Sequence, residues 1–123
     1  MYSLISIWTI KRGKERAAVA ALKRLAKEVQ KHEKKTLTYL VHVPDMSQDS
    51  IPTPSPLQVA FFEIYQDKAA FLTHLNGPIF NGFVNRHKNL FLCTTVSGKS
   101  GEKITRPYVS AEFLKRIAGF VRP

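Results

Sequence analysis

Three residues in the middle of the chain carry groups suited to moving a proton. Glu63 and Tyr65 stand two apart in the run QVAFFEIY, and His74 follows in KAAFLTHL. An imidazole titrates near neutral pH, so His74 can act as a general base or a hydrogen-bond partner. Alternate residues of a strand share a face, which puts Glu63 and Tyr65 together. A glutamate in so apolar a strand must be paired or protonated if it is buried, and a raised pKa there would mark a pocket. Each has a plainer reading. His74 could be satisfied by backbone or by Glu63, Glu63 could tie its strand to a helix, and Tyr65 suits a pocket wall better than a chemical role. Trp8, Tyr39, Phe61, Phe80 and Phe83 could line a pocket that stacks a planar ligand, although each singly suits a core. Arg86, beside His87, could anchor an anionic or enolate oxygen, or simply favour a helix C-terminus. His32 and His42 have no partner at metal-ligand spacing, and no carboxylate facial triad is visible, so no metal site is expected.

These residues need elements to position them. Leu4, Ser6, Trp8 and Ile10 alternate with Ile5, Ile7 and Thr9, as in a strand buried on both faces. From Lys14 to about His32, Val19, Leu22, Leu25, Ala26 and Val29 recur at helical steps. Leu37 to Val43 alternates again as a second strand, stopped by Pro44. Residues 45–56, DMSQDSIPTPSP, hold three prolines and four Ser/Thr and read as a long loop. Gln58 to Tyr65 is a third strand. Asp67 looks like an N-cap for a short helix, Gly77 and Pro78 break it, and helix resumes over Ile79–Lys88. Leu90 to Val96 reads as a fourth strand, SGKSGEK as a turn, and Ser110–Phe120 as a short helix with Phe113, Leu114, Ile117 and Phe120 on one face. The order β-α-β-β-α-β is the split-βαβ, ferredoxin-like plan: an α+β fold with four antiparallel strands under helices on one face. Its other face carries Ile5, Ile7, Phe62 and Ile64, too apolar to be left in water, and a second copy of the sheet in a homodimer would cover it.

The chain's 123 residues suit one domain with a real core. Hydrophobic residues at 44% exclude wholesale disorder. No apolar run approaches a membrane span, and the N-terminus has its apolar part before its basic part, the reverse of a secretory signal. The lone Cys93, in LFLCTTV, suits a buried inert thiol, and the expected compartment is the cytoplasm. The unusual quantity is a net charge of +10. Residues 1–35 hold ten basic and three acidic side chains, whereas residues 45–98 hold three and four. The cations of helix 14–32 fall mostly off its apolar stripe and read first as a solvated face. Nucleic acid or another polyanion is the second reading, without interleaved aromatics or a nucleic-acid motif to support it.

Residues 63–80, EIYQDKAAFLTHLNGPIF, resemble the signature of the antibiotic-biosynthesis-monooxygenase (ABM)-type domain, in the dimeric α/β-barrel superfamily. Glu63, Tyr65, Ala70, Phe71, His74, Pro78 and Phe80 fit its pattern. KRGKE at the first helix start and HEKKTLTY before strand two agree with it. The resemblance covers about residues 3–97. It divides the chain into a domain over 1–98 and an extension over 99–123 with a short helix. The layout is most similar to quinol-oxidising members, which have a similar long loop before strand three. The resemblance implies a homodimer with facing sheets and a pocket in each subunit between sheet and helices. Members include cofactor-independent oxygenases that turn phenolic or anthrone-like substrates into quinones, and others that act on quinols, heme or small phosphorylated signal molecules. The positions that hold Asn, Trp and the iron-ligating His in the heme-degrading branch correspond to Ser6, Tyr65 and about Val84. All three differ, and His87 lies three residues on, so heme degradation is disfavoured. The polyketide-type oxygenase's Asn, Trp and Tyr correspond to Phe61, Tyr65 and Phe71.

The expectation is a cofactor-free monooxygenase for a small aromatic hydroquinone, phenol or anthrone-like compound. His74, Glu63 and Tyr65 would be its catalytic set, with Trp8, Ser6, Tyr39, Phe61, Phe80, Phe83 and Arg86 around the substrate. The alternative is a non-catalytic dimeric domain that binds a small ligand or a polyanion.

Overall fold

The structure, a computed structural model, describes residues 1–123. Its strands are β1 (Tyr2–Thr9), β2 (Thr36–His42), β3 (Gln58–Tyr65), β4 (Cys93–Ser97), β5 (Lys103–Pro107) and β6 (Ser110–Leu114). The helices are α1 (Glu15–His32), α2 (Lys68–Asn76) and α3 (Pro78–His87), with a 3₁₀ turn at Lys88–Leu90. A four-stranded antiparallel sheet runs in the order β2-β3-β1-β6. It has the ferredoxin-like arrangement that the strand and helix pattern predicts.

The local chemistry sets the elements. α1 buries Ala18, Ala21, Leu22, Leu25 and Val29 along one stripe, with Glu15 in its first turn and Lys31 and His32 in its last, as the helix dipole favours. The Asp67 carboxylate accepts from the Ala70 N–H at 2.8 Å and caps α2. Gly77 ends α2, and Pro78 occupies the first turn of α3, where its missing N–H is harmless.

The fourth strand differs from the expectation, and so does the tail. Cys93–Ser97 does not complete the sheet; it pairs with β5 in a separate two-stranded hairpin. Ser110–Leu114 is not helical; it is the strand that pairs with β1, and the chain after it has no regular structure. The free edge of β1 explains the switch. Its N–H and C=O groups need partners. Phe91 bridges Ile10, and the Leu92 N–H donates to the Thr9 carbonyl at 2.8 Å. The chain then leaves as the β4–β5 hairpin and returns as β6 to pair with residues 3–7. The three- and four-residue spacing of Phe113, Leu114, Ile117 and Phe120 mimics a helix. Only the strand alternation is used, however: Phe113 packs against Tyr2 and Phe71, while Ile117 and Phe120 stay exposed. SGKSGEK does form a turn, joining the two hairpin strands.

The inner sheet face and the helices enclose two apolar clusters. The larger gathers Trp8, Val59, Phe61, Phe83 and Phe91 against the α1 stripe. The smaller holds Leu4, Tyr65 and Ala70. Ser6, Glu63 and His74, the buried polar residues, lie on the same side of the sheet. On the outer face Ile5 and Leu40 are exposed and flank the half-buried Phe62 in register. No helix is long and apolar enough to cross a membrane.

Candidate functional site

Strand register brings the polar set together. On β1 and β3, Ser6 faces Phe61 and Leu4 faces Glu63, while Tyr39 of β2 lies beside Glu63 on the other side. The Tyr65 hydroxyl donates to one Glu63 carboxylate oxygen at 2.6 Å, and the Ser6 hydroxyl approaches the other at 3.4 Å. Burial pushes the Glu63 carboxyl above the usual carboxylate range, against the lowering effect of the Tyr65 bond and of nearby His74. Burial, followed by the charge of Glu63, raises the Tyr65 phenol well above its ordinary value, so it stays a donor. Tyr39 is raised for the same reasons, burial first.

His74 comes from α2, whose Asp67 cap fixes the helix start two turns earlier. The His74 side chain is 3% exposed, and its Nδ1 lies 2.7 Å from an oxygen of Glu33, which is 14% exposed. A carboxylate can only accept, so Nδ1 carries the proton of this bond. Nε2 makes no hydrogen bond within the chain, yet no buried side-chain polar atom is left without a partner. Nε2 is therefore open to the cavity that His74 lines. The imidazole packs among aromatic rings, with centroids 5.0 Å from Phe80 and 5.3 Å from Tyr39.

That cavity measures about 790 Å³. Leu4, Trp8, Phe61, Phe71 and Phe80 supply apolar walls, and Ser6, Tyr39, Glu63 and His74 supply the inner polar groups. Its volume and mixed lining suit a small planar organic molecule. Most of the residues expected around a ligand are gathered here: His74, Glu63, Ser6, Trp8, Tyr39, Phe61 and Phe80. Tyr65 is not in the wall; it is fully buried behind Glu63 and holds it.

Phe83 and Arg86 lie elsewhere. Phe83 packs in the core against Trp8 and Phe91. With Arg86 it borders a separate groove between α1 and α3, which also contains Arg24 and His87. Helical spacing explains this. Phe80, Asn81, Val84, Asn85 and Lys88 form the side of α3 and its 3₁₀ extension that borders the cavity, and Phe83 and Arg86 fall off that stripe. Burial and the charges of Arg24 and Arg86 hold His87 below its ordinary pKa.

Several residues of the site escape a sequence reading. Glu33, 41 residues from His74, ends α1 and carries no motif that marks it as a partner. Lys88 could have been found by extending the α3 stripe one turn. The hairpin residues Lys103–Val109 could not, since their place depends on β6 returning to β1. Nowhere in the chain do three or more His, Cys, Asp or Glu side chains converge as a metal site would require.

The chain's relatives agree with this architecture. A structure of a Pseudomonas aeruginosa protein superposes with a TM-score of 0.67 at 20% identity, covering 95% of this chain and 94% of that one. An antibiotic biosynthesis monooxygenase structure gives 0.69 at 16% identity, over 96% of this chain and 100% of its own. A Deinococcus radiodurans protein gives 0.67 at 17%, over 99% and 100%. At such identities the likeness is one of fold. No curated protein matches the chain. The family model for antibiotic biosynthesis monooxygenase matches residues 1–86, most of the sequence, and supports a monooxygenase-type function without naming a substrate. This chain belongs to the antibiotic biosynthesis monooxygenase family.

Proposed function

We propose that the protein is a monooxygenase that oxidises a small phenol, hydroquinone or anthrone-like compound with O₂, the substrate itself supplying the electrons. The observation that carries this reading is the Glu33–His74 pair, whose free imidazole nitrogen opens into an aromatic-walled cavity. In the proposed reaction His74 Nε2 takes the proton of the substrate hydroxyl, or of the ring CH₂ in an anthrone. Glu33 holds the ring in the tautomer that leaves Nε2 free and stabilises the imidazolium that forms. The electron-rich anion reduces O₂ at a ring carbon. That carbon gains one oxygen as a carbonyl, the substrate loses two hydrogens, and the second oxygen leaves as water. Trp8, Phe61 and Phe80 hold the ring and exclude bulk water. Glu63, held by Tyr65 and Ser6, retains a proton more readily than an ordinary carboxyl and can donate a hydrogen bond to the oxidised ring.

We also propose that the outer sheet face pairs with a second copy of the chain. Exposed Ile5 and Leu40 beside Phe62 form an apolar patch that such a homodimer would bury.

Oxygen uptake by metal- and flavin-free protein, with a panel of naphthols, hydroquinones and anthrones, tests the reading. Uptake well above autoxidation, lost in His74→Ala, is the expected result. Uptake unchanged in that variant would remove His74 as the base. No uptake with any compound would move the weight to a binding role.

A further inference from the structure

Around the cavity mouth, charge is one-sided. Besides Glu63 and His74, the charged residues that line it are Lys88, Lys103 and Arg106. None of the three has a carboxylate within ion-pair distance; the chain's ion pairs are His32–Glu28 and Glu33–His74. Lys88 is half-buried and continues the α3 stripe of Phe80, Val84 and Asn85 that borders the cavity. Lys103 and Arg106 come from β5, on the hairpin that forms the opposite side. The sole lining carboxylate, Glu63, is buried at the sheet and held by Tyr65 and Ser6.

An aromatic ring seated against Trp8 and Phe61 would leave one end at His74 and the other toward these cations. Lys103 and Arg106 are exposed at the mouth, so water and salt weaken their attraction for an anion, but all three cations are of one sign and none is paired. Thr94 and Thr105, also in the wall, offer hydroxyls that can share an acid's oxygens.

We infer that this site selects aromatic substrates that carry an acidic group, a carboxylate above all, on the end away from the reacting hydroxyl, with Lys88, Lys103 and Arg106 as its recognition set. The inference rests on the cavity being the substrate site proposed above. The three cations are specificity residues, remote from the proton transfer.

Two probes, titrated under nitrogen so that neither can be oxidised, separate the charge preference from the site itself: 2-naphthol, and 6-hydroxy-2-naphthoate, which adds a carboxylate across the ring from the hydroxyl. Binding is followed through the indole N–H resonance of Trp8, the chain's one tryptophan, which lines the cavity. The acid should bind about tenfold more tightly at low salt, a modest sum of partly exposed ion pairs. High salt or the triple variant Lys88→Gln/Lys103→Gln/Arg106→Gln should erase the difference while 2-naphthol binds as before. Equal binding of the two probes to the unaltered protein would overturn the inference and leave the aromatic site standing. A preference that survives the triple variant would also overturn it, since the acid would then be read elsewhere. Binding of neither probe would overturn both the inference and the proposed site.

Discussion

Glu33→Gln is the sharpest perturbation of the site, because it removes a charge and almost no volume. In the folded chain Glu33 and His74 are 14% and 3% exposed and 2.7 Å apart, so solvent screens their contact little. A hydrogen bond to a charged group in such a setting contributes about 1.5–3 kcal/mol. The amide can still accept from Nδ1–H, which places the expected loss at the lower end, about 1.5 kcal/mol. An unfolding entropy of about 2.1 cal/mol/K per residue makes each kcal/mol worth about 4 °C for a chain of this size. The melting temperature should therefore fall by about 6 °C. Catalysis should fall further than stability. A positioned base contributes about 10²–10⁴-fold; the amide can accept from Nδ1–H or donate to a bare Nδ1, so it no longer enforces the tautomer with Nε2 free, and it carries no charge to stabilise the imidazolium. Turnover should drop by about 10²-fold or more, in kcat rather than KM. Scanning calorimetry reads the first effect, oxygen uptake the second, and ¹⁵N chemical shifts of the His74 ring report whether the proton has left Nδ1. A melting temperature lowered as calculated, with turnover and ring shifts unchanged, would refute the dyad and leave Glu33 as a brace between α1 and α2.

Glu63→Gln tests the buried carboxyl through pH. Burial raises its folded pKa, so the native state binds the proton more tightly than the unfolded chain. Its stabilising contribution is full below the ordinary carboxyl range and is lost as pH rises through the raised value. Denaturant titrations should show wild type losing stability relative to the variant across that window, and parallel curves would refute the assignment. At Gly77 an added Cβ would lie 2.6 Å from the Thr73 carbonyl oxygen, a rigid backbone neighbour. Gly77→Ala should therefore destabilise by about 1–3 kcal/mol in chemical denaturation; a neutral effect would mean that the α2–α3 junction shifts freely. Leu40→Lys places a charge on the exposed apolar face of β2. Sedimentation should show a monomer with unchanged helix content, whereas an unaltered dimer would put the interface elsewhere.

Much of this was legible because it depends on short-range pattern. The α1 stripe, the Asp67 cap, the Gly77–Pro78 break and the alternation of β1 and β3 all follow from neighbours within a few residues. So does the grouping of Ser6, Glu63 and Trp8 on the helix-covered sheet face. What the pattern could not show depends on partners far apart in the chain. The segment SAEFL has both a helical spacing with the residues after it and a strand alternation within it. The vacancy at the edge of β1 selects the strand, and that vacancy is invisible locally. Phe83 and Arg86 show the opposite limit. One reads as a wall aromatic and the other as an anion anchor, and only the phase of α3, set by Pro78 and by packing on α1, turns them toward the other groove. Glu33 reads locally as one charge in the basic run KHEKKT, yet it is the acid of that run that the fold turns inward to His74.

The same arrangement explains why the apolar interior is split. Filling the space between Leu4 and Trp8 with aliphatic side chains would join the two clusters and stabilise the fold by about 25 cal/mol for each Å² removed from water. Instead β1 carries Ser6 there, β3 carries Glu63, and α2 presents His74, three polar residues in an otherwise apolar interior. Tyr65 and Ser6 satisfy Glu63, and Glu33 satisfies one nitrogen of His74. The hydrogen-bond accounting thus closes for every buried side-chain atom, and the remaining imidazole nitrogen faces the cavity. A purely structural histidine would gain by bonding through both nitrogens or by standing at the surface. This one is buried, braced from behind and open in front, so its placement forgoes stability at the point where a substrate proton would be accepted.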